Sequence, residues 1–200
     1  MRIALGAAVF FLSATVLFAQ SPPREKLATD TPKSALINMD PARIDPSNLA
    51  LDRIDQVQTT GTPQKIDDIS SWRLTVKGSG LAHEASITYK DLVSLPLVKK
   101  NVLLICPGFF AGYVEWEGVP LRVLLERLGA ATDYKSVSFQ AYDGYSERFS
   151  RKDVMEHLFL LAVKASGTIL PPEHGYPVRL VAEDFYGGRW VKWITEIHLD

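Results

Sequence analysis

The sequence predicts an α+β fold: β-rich mixed sheets with a few short helices. Three observations predict it. Several segments alternate apolar and polar residues with the period of a half-buried strand, or run apolar for the length of a buried one. Helical periodicity appears only in short windows closed by capping residues or glycine. There is no regular strand–helix–strand repeat and no glycine-rich phosphate loop, which argues against a nucleotide-binding Rossmann domain.

The chain has 200 residues, 46% hydrophobic and 22% charged, with a net charge of −1. That composition suits a folded globular protein and offers no basic field for nucleic acid. The single cysteine excludes an intramolecular disulfide. Histidines 83, 157, 174 and 198 form no i, i+4 pair, so a helical zinc motif is absent.

Residues 1–19 carry Arg2, an uncharged apolar run and a small residue at Ala19. This reads as a secretory signal peptide cut before Gln20, giving a periplasmic product. The competing reading is an uncleaved membrane anchor, for which the run is short against a bilayer core of about 30 Å. Residues 20–70 are rich in Pro, Asp, Thr and Ser and read as an extended N-terminal arm. Ile44, Leu49, Leu51 and Ile54 are spaced for one short docked helix.

Residues 71–200 form the predicted domain. Trp72, Leu74 and Val76 alternate with Arg73, Thr75 and Lys77 as a strand, turned by Gly78-Ser79-Gly80. Thr88 and Asp91 form a capping pair for a short helix ending before Pro96. Val102 to Cys106 is a buried strand. Pro120 opens a helix with Leu121, Leu124, Leu125 and Leu128 on one face, stopped by Gly129. Val137, Phe139 and Ala141 alternate as a strand turned by Asp143-Gly144, and Ser150 with Asp153 caps another short helix. Leu158 to Val163 fits strand or helix equally. Val178–Ala182 and Val191–Leu199 close the domain as strands. Phe139, Leu124, Leu125, Leu180 and Ile197 are the expected core.

Cys106 ends an apolar strand and precedes Pro107-Gly108, a turn that puts its sulfur at a strand-end loop. A thiolate there is a soft metal ligand or a nucleophile, and the same residue also fits an inert core cysteine. Arg179 alternates with Val178 and Leu180, so it belongs to the other face of its strand or to solvent. Tyr186-Gly187-Gly188-Arg189-Trp190-Val191-Lys192-Trp193 sets glycines beside cations and indoles, which suits close backbone approach to a phosphate. An aromatic hairpin with surface cations fits the same residues.

In order along the chain stand a Cys at a strand end and Trp-x-Gly-Val-Pro-Leu ten residues later. Asp-Gly-Tyr, Glu-His-Gly-x-Pro-x-Arg and Tyr-Gly-x-x-x-Val-Lys-Trp follow. From about Trp72 to Leu199 this resembles the molybdopterin-binding domain of the sulfite oxidase family, which also includes the catalytic subunit of bacterial periplasmic methionine sulfoxide reductase. The resemblance implies the family's sulfite-oxidase-like fold and a molybdenum–molybdopterin cofactor. It implies Cys106 as the molybdenum ligand and a catalytic residue, with Tyr186 beside the reacting centre. It implies His174, Arg179, Trp190, Val191 and Lys192 as cofactor-binding residues. The implied activity is oxygen-atom transfer on a small-molecule substrate, with electrons exchanged with a haem-containing partner. The expected state is a monomer that meets a membrane only through an uncleaved signal or a partner. Gln58-Thr59-Thr60-Gly61 stands where relatives carry further cofactor contacts and is not equivalent to them. Pro107-Gly108-Phe109-Phe110 follows Cys106 where sulfite oxidases have an arginine-containing run, which disfavours sulfite. A cofactor-free binding or scaffold domain of the same fold, and a metal-free thiol enzyme, are the alternatives.

N-terminal sequencing of exported protein is expected to start at or near Gln20. Membrane-bound protein that still begins at Met1 would overturn the cleavage reading.

Overall fold

The computed structural model describes residues 23–200. The signal-peptide expectation for residues 1–19 lies outside them. No helix among the described residues is long and apolar enough to cross a membrane.

The described chain begins with an arm containing β1 (Glu25–Lys26), α1 (Lys33–Leu36) and β2 (Ile44–Asp45), with β1 parallel to β2. The expected helix over Ile44–Ile54 does not form. Pro46 removes a backbone donor, and the Asp45 carboxylate accepts a hydrogen bond from Ser47 N, which favours a turn over a helix. Leu51 is left exposed, and only a 3-10 turn, Ile54–Gln56, follows.

Next come β3 (Arg73–Gly78), β4 (Ala85–Thr88) and α2 (Tyr89–Val93). The reciprocal Thr88–Asp91 cap is present as the sequence implies. The expected strand at Val102–Cys106 is longer, β5 (Val98–Cys106), and turns back as β6 (Phe110–Pro120). Trp116–Pro120, which in sequence lead directly into the helix, belong with Phe110–Glu115 to the longest strand among the described residues, because β5 on one side and β9 on the other satisfy their backbone. Pro120 is the cap of α3 (Leu121–Arg127) rather than its first residue.

The remaining elements are β7 (Ser136–Ala141), β8 (Ser146–Ser150), α4 (Arg151–Glu156), β9 (Phe159–Ala165), β10 (Thr168–Ile169), β11 (Arg179–Ala182) and β12 (Ile194–Leu199). The reciprocal Ser150–Asp153 cap opens α4. The Leu158–Val163 ambiguity resolves to strand. The last strand starts at Ile194, not Val191. Trp193 takes a left-handed conformation, φ 55°, and anchors its indole N–H on Pro172 O at 2.7 Å.

Two five-stranded sheets result. One orders β10-β9-β6-β5, with β11 also paired to β9. The other orders β4-β3-β12-β7-β8, mixed because β3 and β12 run parallel. The predicted core residues Phe139, Leu124, Leu125, Leu180 and Ile197 are all buried. A smaller apolar cluster joins Leu27, Leu36, Ile44 and Leu49 of the arm to Leu103, Ile105 and Tyr113 of the β5–β6 hairpin.

Gly118 sits at the bulge where β6 meets β9. A Cβ there would stand 2.2 Å from Leu161 O and 2.6 Å from Ala162 Cα, both backbone atoms that cannot move aside cheaply. Gly118→Ala is expected to lower unfolding free energy by about 1–3 kcal/mol, read from urea titration.

Candidate functional site

Cys106 lies at the end of β5, half-buried, followed by a tight turn in which Phe109 N donates to Cys106 O at 3.0 Å. Its sulfur faces the Tyr186–Trp190 loop. A Cβ on Gly187 would come within 2.7 Å of Cys106 Sγ and 2.4 Å of Leu104 Cδ1. Only a glycine lets that loop pass so close to the thiol.

Two neighbouring cavities share Cys106. One, of about 320 Å³, is lined by Thr60, Gly61, Cys106, Asp143, Tyr145, Gly187, Gly188, Trp190, Lys192 and Trp193, among others. The other, about 40 Å³, is bordered by Thr59, Leu104, Cys106, Arg179, Trp190 and Lys192, among others. The first is within the size range of small-molecule sites.

Arg179, on β11, is 3% exposed, so it is neither solvated nor turned to the surface. Its guanidinium lies 4.8 Å from the Trp116 ring centre and 5.8 Å from that of Trp190, two indoles set edge-on to each other. Nη1 donates to His174 O at 3.1 Å. No carboxylate pairs with it among the described residues. Burial pulls its pKa down to about 10, partly offset by Cys106, so it stays charged at neutral pH.

Lys192 Nζ donates to Thr59 Oγ1 at 2.7 Å, to Glu173 O at 3.0 Å and to Thr60 O. All three acceptors are uncharged. Burial, reinforced by the charge on Arg179, brings its pKa to about 8. Burial pushes the Cys106 thiol up, while Arg179 and Lys192 pull against that rise. Among the described residues no three His, Cys, Asp or Glu side chains group as a metal site. A metal at Cys106 would have one protein thiolate and would need its other ligands from a bound group.

Of the residues singled out from the sequence, Cys106, Arg179, Trp190 and Lys192 line one cavity. His174 is buried just behind them and meets Arg179 through its carbonyl. Val191 is fully buried, its carbonyl accepting from Leu180 N at 2.7 Å. Tyr186 lines neither cavity and is 38% exposed. Tyr113, on β6 opposite Leu103, belongs to the arm cluster. Thr59, Thr60 and Gly61 also line the walls, as do Asp143, Tyr145 and Trp193, which stand in the Asp-Gly-Tyr and Val-Lys-Trp motifs but receive no site role from the sequence alone. Gly61, at φ +85°, lies against the Trp193 ring, a clue available in sequence only as a Thr-Gly-Thr-Pro turn.

The family model described as oxidoreductase molybdopterin binding domain matches residues 59–200. A nitrate reductase [NADPH] of Phytophthora infestans is 34% identical over 111 residues, 52% of this chain and 12% of that protein. The uncharacterized oxidoreductase YuiH of Bacillus subtilis is 27% identical over 139 residues, 69% of this chain and 70% of that protein. The crystal structure of the sulfane dehydrogenase SoxCD of Paracoccus pantotrophus aligns at TM-score 0.60 and 25% identity, covering 66% of this chain and 39% of that one. The chain thus spans about a tenth of the length of the nitrate reductases it matches.

Two outcomes test the electrostatics of this site. Arg179→Met keeps similar bulk and removes a buried, uncompensated charge. The cofactor-free domain is expected to be as stable or up to about 3 kcal/mol more stable by urea titration. The second concerns His174, whose pKa burial lowers from 6.5 to about 4, with Arg179 adding to the effect. Between those values the unfolded chain binds the extra proton, so stability falls as pH drops from about 6.5 to about 4. His174→Gln is expected to flatten that part of the stability–pH curve; an unchanged slope would count against a buried neutral imidazole.

Proposed function

The chain belongs to the oxidoreductase molybdopterin binding domain family, and we propose that it acts as an exported oxidoreductase domain built around a molybdenum–pterin cofactor ligated by Cys106. The observation that carries the reading is the half-buried thiol sharing one cavity with two cations, Arg179 and Lys192, neither of which has a carboxylate at ion-pair distance among the described residues. The donor set fits the group: one soft sulfur for the metal and two cations for a phosphate. When bound, the cofactor supplies two-electron oxygen-atom transfer and one-electron exchange with a haem partner.

The chain's own residues bind, orient and tune. Cys106 provides the thiolate, which the two nearby cations favour against the burial that opposes it. Arg179, locked between Trp116 and Trp190, is a fixed positive charge at the base of the cavity. Lys192 is a softer one, held by the Thr59–Thr60 wall. Gly187 keeps the loop tight against the sulfur, which excludes bulk water from that side. His174, Trp190 and the Val191 backbone complete the cofactor-binding set, and Tyr186 stands outside the cavity walls, at the start of the glycine loop. Relatives bear the names of nitrate and sulfane enzymes. The substrate proposed here is likewise a small molecule, with sulfite disfavoured because the Cys106–Phe110 turn offers no cation. The proposed state is a periplasmic monomer.

One observation favours a second reading, a cofactor-free binding domain of the same fold: the Lys192 ammonium already makes three hydrogen bonds within the chain. Elemental analysis separates the two. Protein from a host that makes the cofactor is expected to contain stoichiometric molybdenum; a metal-free product would sink the first reading. Cys106→Ser is expected to abolish oxygen-atom transfer and alter the molybdenum signal with modest loss of stability. Lys192→Ala and Arg179→Ala are each expected to weaken cofactor retention by about 1.5–3 kcal/mol, roughly 10- to 100-fold.

A further inference from the structure

Residues 23–57 lie outside the part of the chain that matches the family, yet they hold both elements that flank the Cys106 sulfur. β5 is an edge strand, and its end carries the thiol. Its side chains alternate: Val102 and Leu104 enter the main core, whereas Leu103 and Ile105 are covered by Leu27, Leu36, Ile44 and Leu49 of the arm. The turn after Cys106 is tied by Gly108 N donating to Ile37 O at 3.1 Å. On the partner strand, Asp52 N donates to Tyr113 O at 2.7 Å, and Asp52 Oδ2 accepts from Tyr113 N at 2.8 Å. Lys33 Nζ holds the same carboxylate at 2.6 Å. At the other flank, Arg24 Nη2 lies 2.7 Å from Asp184 Oδ2, where the chain enters the loop that brings Gly187 against the sulfur. His157 Nδ1 meets the same oxygen at 2.9 Å.

We propose that residues 23–57 are a positioning strap for Cys106, with Asp52 as its principal clasp on the β5–β6 hairpin and Arg24 as its clasp on the glycine loop. The strap touches no reacting atom. An edge strand ending in Pro107-Gly108 frays unless its outer face and its tip are tied down. A metal ligand must be held to about half an ångström. The strap supplies both restraints from sequence that the family domain does not include. This rests on the reading of Cys106 as the cofactor's ligand.

The test uses the full chain without metal and measures the rate at which iodoacetamide alkylates Cys106, the single cysteine. Losing a charge-assisted clasp shifts a local opening equilibrium by about tenfold or more. Asp52→Ala is therefore expected to speed alkylation about tenfold. Asp52→Asn, whose side-chain oxygen still accepts from Tyr113 N, is expected to recover much of the wild-type rate. Ile87→Ala, on the outer strand of the other sheet, is the control for general loss of stability and is expected to leave the rate near wild type. If Asp52→Ala does not fold, Lys33→Met removes the ion pair and the hydrogen bond to Ala50 O, leaves Asp52 on Tyr113, and is expected to raise the rate by less. An unchanged rate in Asp52→Ala, or in Lys33→Met where Asp52→Ala does not fold, or an equal rise in Ile87→Ala, overturns the strap. Because the readout needs no metal, absence of molybdenum would defeat the cofactor reading and leave this measurement standing.

Discussion

A guanidinium buried beside two indoles is the constraint on which the rest of the site depends. Placing Arg179 in the interior costs solvation that no carboxylate among the described residues returns. Its compensation is partial: two ring faces and the His174 carbonyl. The charge then sets its neighbours. It lowers Lys192 and His174 and opposes the rise that burial imposes on Cys106. The result is a fixed positive centre in the wall of the cavity that Cys106 and Lys192 also line.

The sheets exist, in this sense, to bring that charge and the thiol to one place. Arg179 starts β11, which pairs with β9, and β9 pairs in turn with β6, the partner of β5. Four strands distant in sequence thereby fix the cation and Cys106 in one frame. Glycines allow the close approaches within it. Gly187 passes the sulfur, Gly118 passes the β9 backbone, and Gly112 accommodates Val57 of the arm. A Cβ would meet backbone atoms at Gly118 and the side chains of Leu104, Cys106 or Val57 at the other two.

The arm shows how a segment with weak local signals becomes structural. It has few regular hydrogen bonds of its own and only short elements. Its apolar residues fold by docking on the exposed face of β5, so their conformation follows the hairpin surface rather than their own periodicity. That is why spacing that reads as a helix at Ile44–Ile54 ends as a short strand, turns and a 3-10 turn.

The local signals in the sequence determined what depends on residues a few positions apart. The caps at Thr88–Asp91 and Ser150–Asp153, the α3 face, the alternation of β3 and β7 and the strand-end position of Cys106 were all legible, because each is set by a short-range period or hydrogen bond. The ordered motifs also brought Cys106, Arg179 and Lys192 forward as candidates. Tertiary structure decided what depends on partners far along the chain. β6 is a strand because β5 and β9 pair with it, although Trp116–Pro120 lead in sequence straight into a helix. Arg179 is buried because Trp116 and Trp190 close over it, although alternation alone left it free to face solvent. Thr59–Gly61 became a wall of the cavity because Lys192 and Trp193, more than a hundred residues later, reach back to them. Backbone pairing, burial and charge compensation are sums over the folded neighbourhood, and no window of sequence contains that neighbourhood.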